Sequence, residues 1–242
     1  MLIVVGAVKA EDVFALAQQY YGPIPKAKVP TRNWPAEPLF KHPRVLDKID
    51  AQIEVPLFYR IYRAPSVFAG VAGAPAPNMK TPVTLMLLAS ALGDSSKGYL
   101  YRTLVEEQKI ATAASLDYSG VAHSETTIDL YLQPAEGVTL QQAQTALETA
   151  LQNFTLTETG LNRIKTELRA AWVYAQDNPY GIAYRVGDWL ATGGSADNYN
   201  TWLDLMDTVT VDDVLTAHQT YLLQNTQYTT GRLAKNREQL GE

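Results

Sequence analysis

Six prolines fall between residues 23 and 43, at positions 23, 25, 30, 35, 38 and 43. Each removes a backbone N–H and fixes φ, so at this density neither a helix nor an interior strand can form. The spacing predicts an extended linker over 25–43 that divides a short N-terminal piece from a long C-terminal one. In the short piece, residues 2–8 (LIVVGAV) are a continuous apolar run that suits a buried strand. Residues 9–21 then put Val13, Leu16, Ala17 and Tyr20 on one helical face, and Gly22-Pro23 stops the helix. An apolar run directly after Met1, with no basic leader and no small-residue cleavage site, reads as a chain cut inside a larger one and not as a signal peptide.

Beyond the linker, 44–50 and 52–63 read as strands, the second rich in β-branched and aromatic residues and closed by Pro65. Gly, Ala and Pro over 66–80 predict a loop, and Pro82 in a first turn predicts a helix to Gly93. A helix over 99–109 and strands over 111–118 and 126–132 follow, the last alternating Ile128, Leu130 and Leu132 with Asp129 and Tyr131. Thr139 and Gln142 form a capping-box pattern at the head of a helix to 154. Further helices are expected from 157 to the Asn178-Pro179 break, over 180–192, from about 198 to 208 and over 211–222. A strand over 227–233 and a frayed, charged tail over 234–242 complete the chain. The predicted class is α+β: a mostly antiparallel sheet with several helices packed on one face. The helix starts at 9–13 and 210–214 echo each other (KAEDV and TVDDV), although acidic first turns are common.

Composition excludes more than it selects. A net charge of −5 and a pI near 5.3 favour neither nucleic acid nor an anionic membrane surface. No apolar run reaches the roughly 20 residues that a membrane span requires. Cysteine is absent, which removes disulfides, thiol nucleophiles and thiolate metal sites. The three histidines, His42, His123 and His218, are far apart, with no His-x-x-x-His or His-x-x-Glu-His in either direction, so no metal ligands are assigned. Asp212 and Asp213 beside His218 fit helix caps better than ligands. Ser95 and Ser96 follow Gly93-Asp94 before a helix; they are turn and cap residues, or weak candidates for a nucleophile or an anion site. Glu106 and Glu107 could be an acid/base pair, but neighbours on a helix do not face each other and a solvated face explains them. The tryptophans and tyrosines read as core and interface material. From composition and spacing there is no self-sufficient active site and no catalytic residue is assigned.

The ordered set VVGAVKAEDV with YGPIP, VPLFYRIYRAP, LGDSSKGYLYRTL, QPAEGV and VTVDDV resembles, over nearly the whole chain, the insulinase-type (pitrilysin, mitochondrial-processing-peptidase-like) zinc metallopeptidases. Specifically, it resembles the second, metal-free domain of that family, whose members repeat one α+β unit twice. The resemblance implies that 1–24 are the closing strand and helix of a preceding domain, and that 44–233 are a complete second domain. It implies no cofactor here, with zinc held by a His-x-x-Glu-His motif in the preceding domain. It further implies a non-catalytic domain that forms part of a substrate chamber and a subunit interface. The alternative is a structural or assembly module of the same fold without proteolysis.

Some members carry an Arg and a Tyr seven residues apart in the second domain, which hold the peptide backbone. The matching stretch, LVEEQKIAT, places Val105 and Thr112 at those positions. Valine cannot donate a hydrogen bond and threonine is too short to replace a phenol, so the resemblance implies a degenerate clamp. In two-subunit bacterial members this substitution goes with the zinc-bearing subunit, and the partner keeps the Arg/Tyr pair. The implied partners are therefore the chain's own N-terminal domain, a second homologous subunit and a peptide substrate. Similar bacterial subunits are often exported, for example to the periplasm.

Overall fold

Along β2 (Leu57–Ala64) the buried Phe58, Arg60 and Tyr62 alternate with the exposed Tyr59 and Ile61, so one face of the strand is covered and the other open. The computed structural model describes residues 1–28, 30, 35–71, 77–93 and 97–241. In it, β2 is the middle strand of a sheet completed by β1 (Arg44–Ile49), β3 (Ala111–Tyr118), β4 (Thr126–Pro134) and β5 (Tyr228–Ala234), in the order β1-β5-β2-β4-β3. The pairs β2–β4, β3–β4 and β2–β5 are antiparallel; β1 joins β5 in parallel at the edge.

The covered face meets α2 (Lys80–Gly93), in which Leu85, Leu87, Leu88 and Leu92 are all removed from water. A helix apolar all round must be central, and α2 touches β3 on one side and α5 (Glu158–Ala175), α7 (Thr201–Thr208) and α8 (Val211–His218) on others. Its last residue, Gly93, lies against β3 so closely that a Cβ would sit 2.1 Å from the Leu116 carbonyl oxygen. The helix α4 (Leu140–Gln152) begins with the expected capping box, Thr139 and Gln142 exchanging hydrogen bonds, and covers β2 and β4. Asn178 caps α6 (Pro179–Thr192), which ends at Gly193 with φ 118°.

Two arginines of β2 are buried. Arg60 donates from Nε to Thr230 Oγ1 at 3.0 Å and from Nη2 to Glu148 Oε1 at 2.8 Å, tying β5 and α4 to the sheet. Arg63 donates from Nε to Glu125 Oε1 at 2.7 Å and also through Nη2 to the same oxygen. It further reaches the carbonyls of Pro38 at 2.7 Å and Glu37 at 2.9 Å. Gln227 completes this clasp, accepting from the Phe40 N–H at 2.7 Å. The described residues of 25–43 are free of helix and strand, as the prolines require, and their last part is pinned to the sheet.

Three local expectations fail for physical reasons. Residues 2–8 form no strand; Leu2, Val4, Val5 and Val8 are exposed and no described strand lies beside them to pair with. The helix α1 (Ala10–Tyr21) forms but buries no residue. The end of the chain is not a frayed tail: Ala234 closes β5 and a short α9 (Arg237–Leu240) buries Leu240 and touches α4, its start capped by Asn236. The helix after Gly98, α3, is α-helical only over Tyr99–Tyr101 and π-helical over Arg102–Glu107, where Gln108 donates to the Thr103 carbonyl. A second π-helical turn, Gln219–Leu223, extends α8.

The last residue of α8, His218, is 4% exposed, packs its ring 5.2 Å from that of Phe154, and leaves Nε2 buried with no partner. Burial pushes its pKa down, against a smaller opposing effect of a hydrogen bond to the Leu151 backbone. The neutral ring is thus the folded form. Two outcomes are expected. Gly93→Ala should cost about 3 kcal/mol or more in urea unfolding, because helix and strand backbones must separate to admit the methyl group. Stability should be complete above the ordinary histidine range and fall as pH drops through it, since the unfolded chain takes up the proton first; His218→Leu should abolish this fall between pH 7.5 and 5.5.

Candidate functional site

The segment from α2 to β3 carries most of the side chains singled out from the sequence, without joining them in one site among the described residues. Val105 and the two glutamates lie on the π-helical part of α3, where one extra residue per turn shifts side chains off the ordinary helical rows. Val105 is half-buried and packs against the core. Glu106 and Glu107 are both exposed, and Glu107 Oε1 lies 4.0 Å from Arg102 Nε, a solvated pairing. The chain leaves the helix through Lys109 in the left-handed region, φ 54°, an uncommon conformation for a residue with a Cβ. Ile110 bonds back to the Leu104 carbonyl and forward to the Ala135 N–H, which fixes the start of β3.

Thr112, exposed on the second residue of β3, donates to the Gln133 carbonyl at 3.4 Å. It borders an open cleft of about 510 Å³ with a mixed lining that includes Glu54, Val55, Pro134, Glu136 and Asn236. The backbone therefore holds positions 105 and 112 in a defined frame, and the side chains there offer one short hydroxyl and one isopropyl group. Ser95 and Ser96 lie outside the described residues; α3 itself starts after Gly98, which supplies no side-chain cap.

The histidines are not brought together. His42 is exposed beside β1, His123 Nδ1 meets the Thr192 carbonyl at 3.2 Å, and His218 is enclosed between α8 and Phe154. Among the described residues no group of three or more His, Cys, Asp or Glu could hold a metal ion. The residues do not fit a zinc site. Asp213 behaves as a cap: it bonds the Thr210 N–H at 2.8 Å and pairs with Lys80 Nζ at 2.7 Å, and the Lys80 hydrogen bond is the main reason its pKa is lowered. No described helix is long and apolar enough to cross a membrane.

One cavity escaped the sequence reading. Trp172 of α5, Trp189 of α6 and Trp202 of α7 line a space of about 220 Å³ beside α2. The Trp172 and Trp202 rings meet edge to face at 4.9 Å. Its residues run from Val67 to Trp202, so no local motif announces it; the three tryptophans, each on a successive helix, were the available signal.

A family model described as the peptidase M16 inactive domain matches residues 1–168. Among solved structures, a protease from Helicobacter pylori superposes with a TM-score of 0.80 at 20% identity, over 95% of this chain and 53% of its own. The first half of the periplasmic protease PqqL from Escherichia coli gives 0.72 at 16% identity, covering 95% and 50%. A peptidase M16 inactive domain from Pseudomonas fluorescens gives 0.71 at 14% identity, covering 95% and 52%. At these identities the structures establish the fold alone, and the chain spans about half the length of each. No curated protein matches by sequence. With more than half its length matched by the family model, this chain belongs to the peptidase M16 inactive-domain family.

Proposed function

We propose that this domain is the non-catalytic half of a zinc-dependent peptidase, where it forms part of the wall of a substrate chamber and of a subunit interface. The observation that carries the reading is membership of the inactive-domain family combined with side chains at 105 and 112 that cannot grip a peptide backbone. On this reading zinc is held by an upstream domain of the parent protein, and a second homologous subunit supplies the Arg/Tyr clamp. The uncovered apolar side chains of residues 2–8 and of α1 support a domain of the parent seated against them. The open face of the sheet supplies the wall. Tyr59 and Tyr131 stand there as a pair with ring centroids 5.1 Å apart, and Asp117 faces Asp129 across β3 and β4.

Incubated with zinc and an internally quenched unfolded peptide, the 242-residue chain should give no chelator-sensitive hydrolysis; zinc-dependent turnover by the chain alone would overturn the reading. In the parent peptidase, Tyr59→Ser with Tyr131→Ser should raise KM for long peptides by about fivefold with little change in Tm, the loss of one aromatic contact. Unchanged KM and kcat would remove the open face from the chamber.

A further inference from the structure

The tryptophan-lined space beside α2 is open to solvent on one side. Tyr184 and Asp188 stand one turn apart on α6; both border the space and both are exposed, Tyr184 to 67%, so they mark its mouth. Nine of the lining residues are Trp, Tyr, Met or Arg, the types that contact surfaces enrich. The rings also brace one another. Trp172 meets Tyr199 at 5.4 Å and Trp189 meets Phe68 at 5.1 Å, so the walls stand ready without a guest.

Charge narrows what that guest can be. From Ala170 to Met206, the stretch that supplies α6 and the end of α5 and most of α7, there are four aspartates (Asp177, Asp188, Asp197 and Asp204), no glutamate, and Arg185 as the only Lys or Arg. All four aspartates are exposed and none forms an ion pair among the described residues. Arg185 does not neutralise them: its Nη2 donates to the Ala175 carbonyl at 2.8 Å and its guanidinium carbon lies 5.4 Å from the Trp172 centroid. The surface around the groove is thus negative, while the one cation against its wall disfavours a second charge of the same sign inside. Size sets a further limit. A dry cavity of about 150 Å³ admits benzene, so about 220 Å³ take one side chain the size of Phe or Leu and less than a drug-sized molecule. A guest with an apolar group inside and positive charges outside meets all of these conditions.

We propose that this groove is the anchor point for a basic segment of a partner protein. The segment inserts one aromatic or aliphatic side chain between the tryptophans and sets its flanking Lys or Arg residues over Asp188 and the other carboxylates of these helices. The anchor supplies affinity by leaving water, and the rim charges supply encounter rate and choice of partner. The site is independent of the chamber reading, because it lies among the helices and uses none of the residues at 59, 105, 112 or 131.

Three of the four tryptophans line the groove, so intrinsic fluorescence reports its occupancy. The probes are the capped peptides acetyl-KKFKK-amide, acetyl-KKAKK-amide and acetyl-EEFEE-amide, titrated into the 242-residue chain by fluorescence and calorimetry. KKFKK should bind saturably and about tenfold more tightly than KKAKK, the effect of burying one aromatic anchor. At about 0.01 M salt it should also bind about tenfold more tightly than EEFEE. That preference should shrink at about 0.15 M, where the Debye length falls from about 30 Å to about 8 Å. Val121→Phe, which fills the space, should remove the advantage of KKFKK over KKAKK. Asp188→Lys combined with Asp204→Lys, confined to exposed side chains and so free of folding effects, should reverse the order of KKFKK and EEFEE with Tm retained. Equal binding of KKFKK and EEFEE at low salt, equal binding of KKFKK and KKAKK, or an order unmoved by the charge reversal would overturn the proposal. Phenethylamine binding as tightly as KKFKK would make the groove a small-molecule site and overturn it equally.

Discussion

Two guanidinium groups on the central strand organise this domain. Burying a charge without partners is costly enough that the surrounding chain must come to it, and removing one partner of a buried pair costs about 3–5 kcal/mol. Arg60, on the covered face, draws α4 through Glu148 and β5 through Thr230, and its cation sits 4.9 Å from the Tyr228 ring. Arg63, at the end of the open face, draws the β3–β4 connection through Glu125 and the proline-rich segment through two backbone carbonyls. The helical layer and the linker are thus anchored to the same eight-residue strand, one from each side.

Much of this was legible beforehand. The capping box at Thr139 and Gln142, the Asn178-Pro179 break between helices, the Gly193 stop and the alternation of β4 all rest on local stereochemistry, and each is found where the residues place it. What was not legible depends on partners far along the chain. An arginine in a strand carries no local mark of burial; its satisfaction by Glu148 or by the carbonyl of Pro38 is a tertiary event. The π-helical turn at 102–107 is invisible to a 3.6-residue period. The α9 helix has one buried residue, Leu240, too little for a pattern. The run at 2–8 was apolar enough for a strand, but a strand requires a neighbour, and none of the described strands flanks it.

The candidate clamp shows the same division. Its side chains, Val105 and Thr112, could be judged from residue type alone, because hydrogen-bonding capacity is a property of the side chain. Its frame could not. The π-helical turn and the left-handed Lys109 are uncommon backbone states, and the side chains they place at 105 and 112 are an isopropyl group and one short hydroxyl.

The position of β5 also sets when the domain can become itself. This strand, residues 228–234, lies between β1 and β2, so it pairs with residues 166 to 185 positions earlier in the chain. Until it arrives, β1 has no neighbour at all and β2 has only β4. During synthesis β1 must therefore wait, unpaired, until β5 has emerged, and the transition to the native five-stranded sheet is gated by β5. Such long-range closure is slow and leaves strand edges open to other chains until β5 arrives.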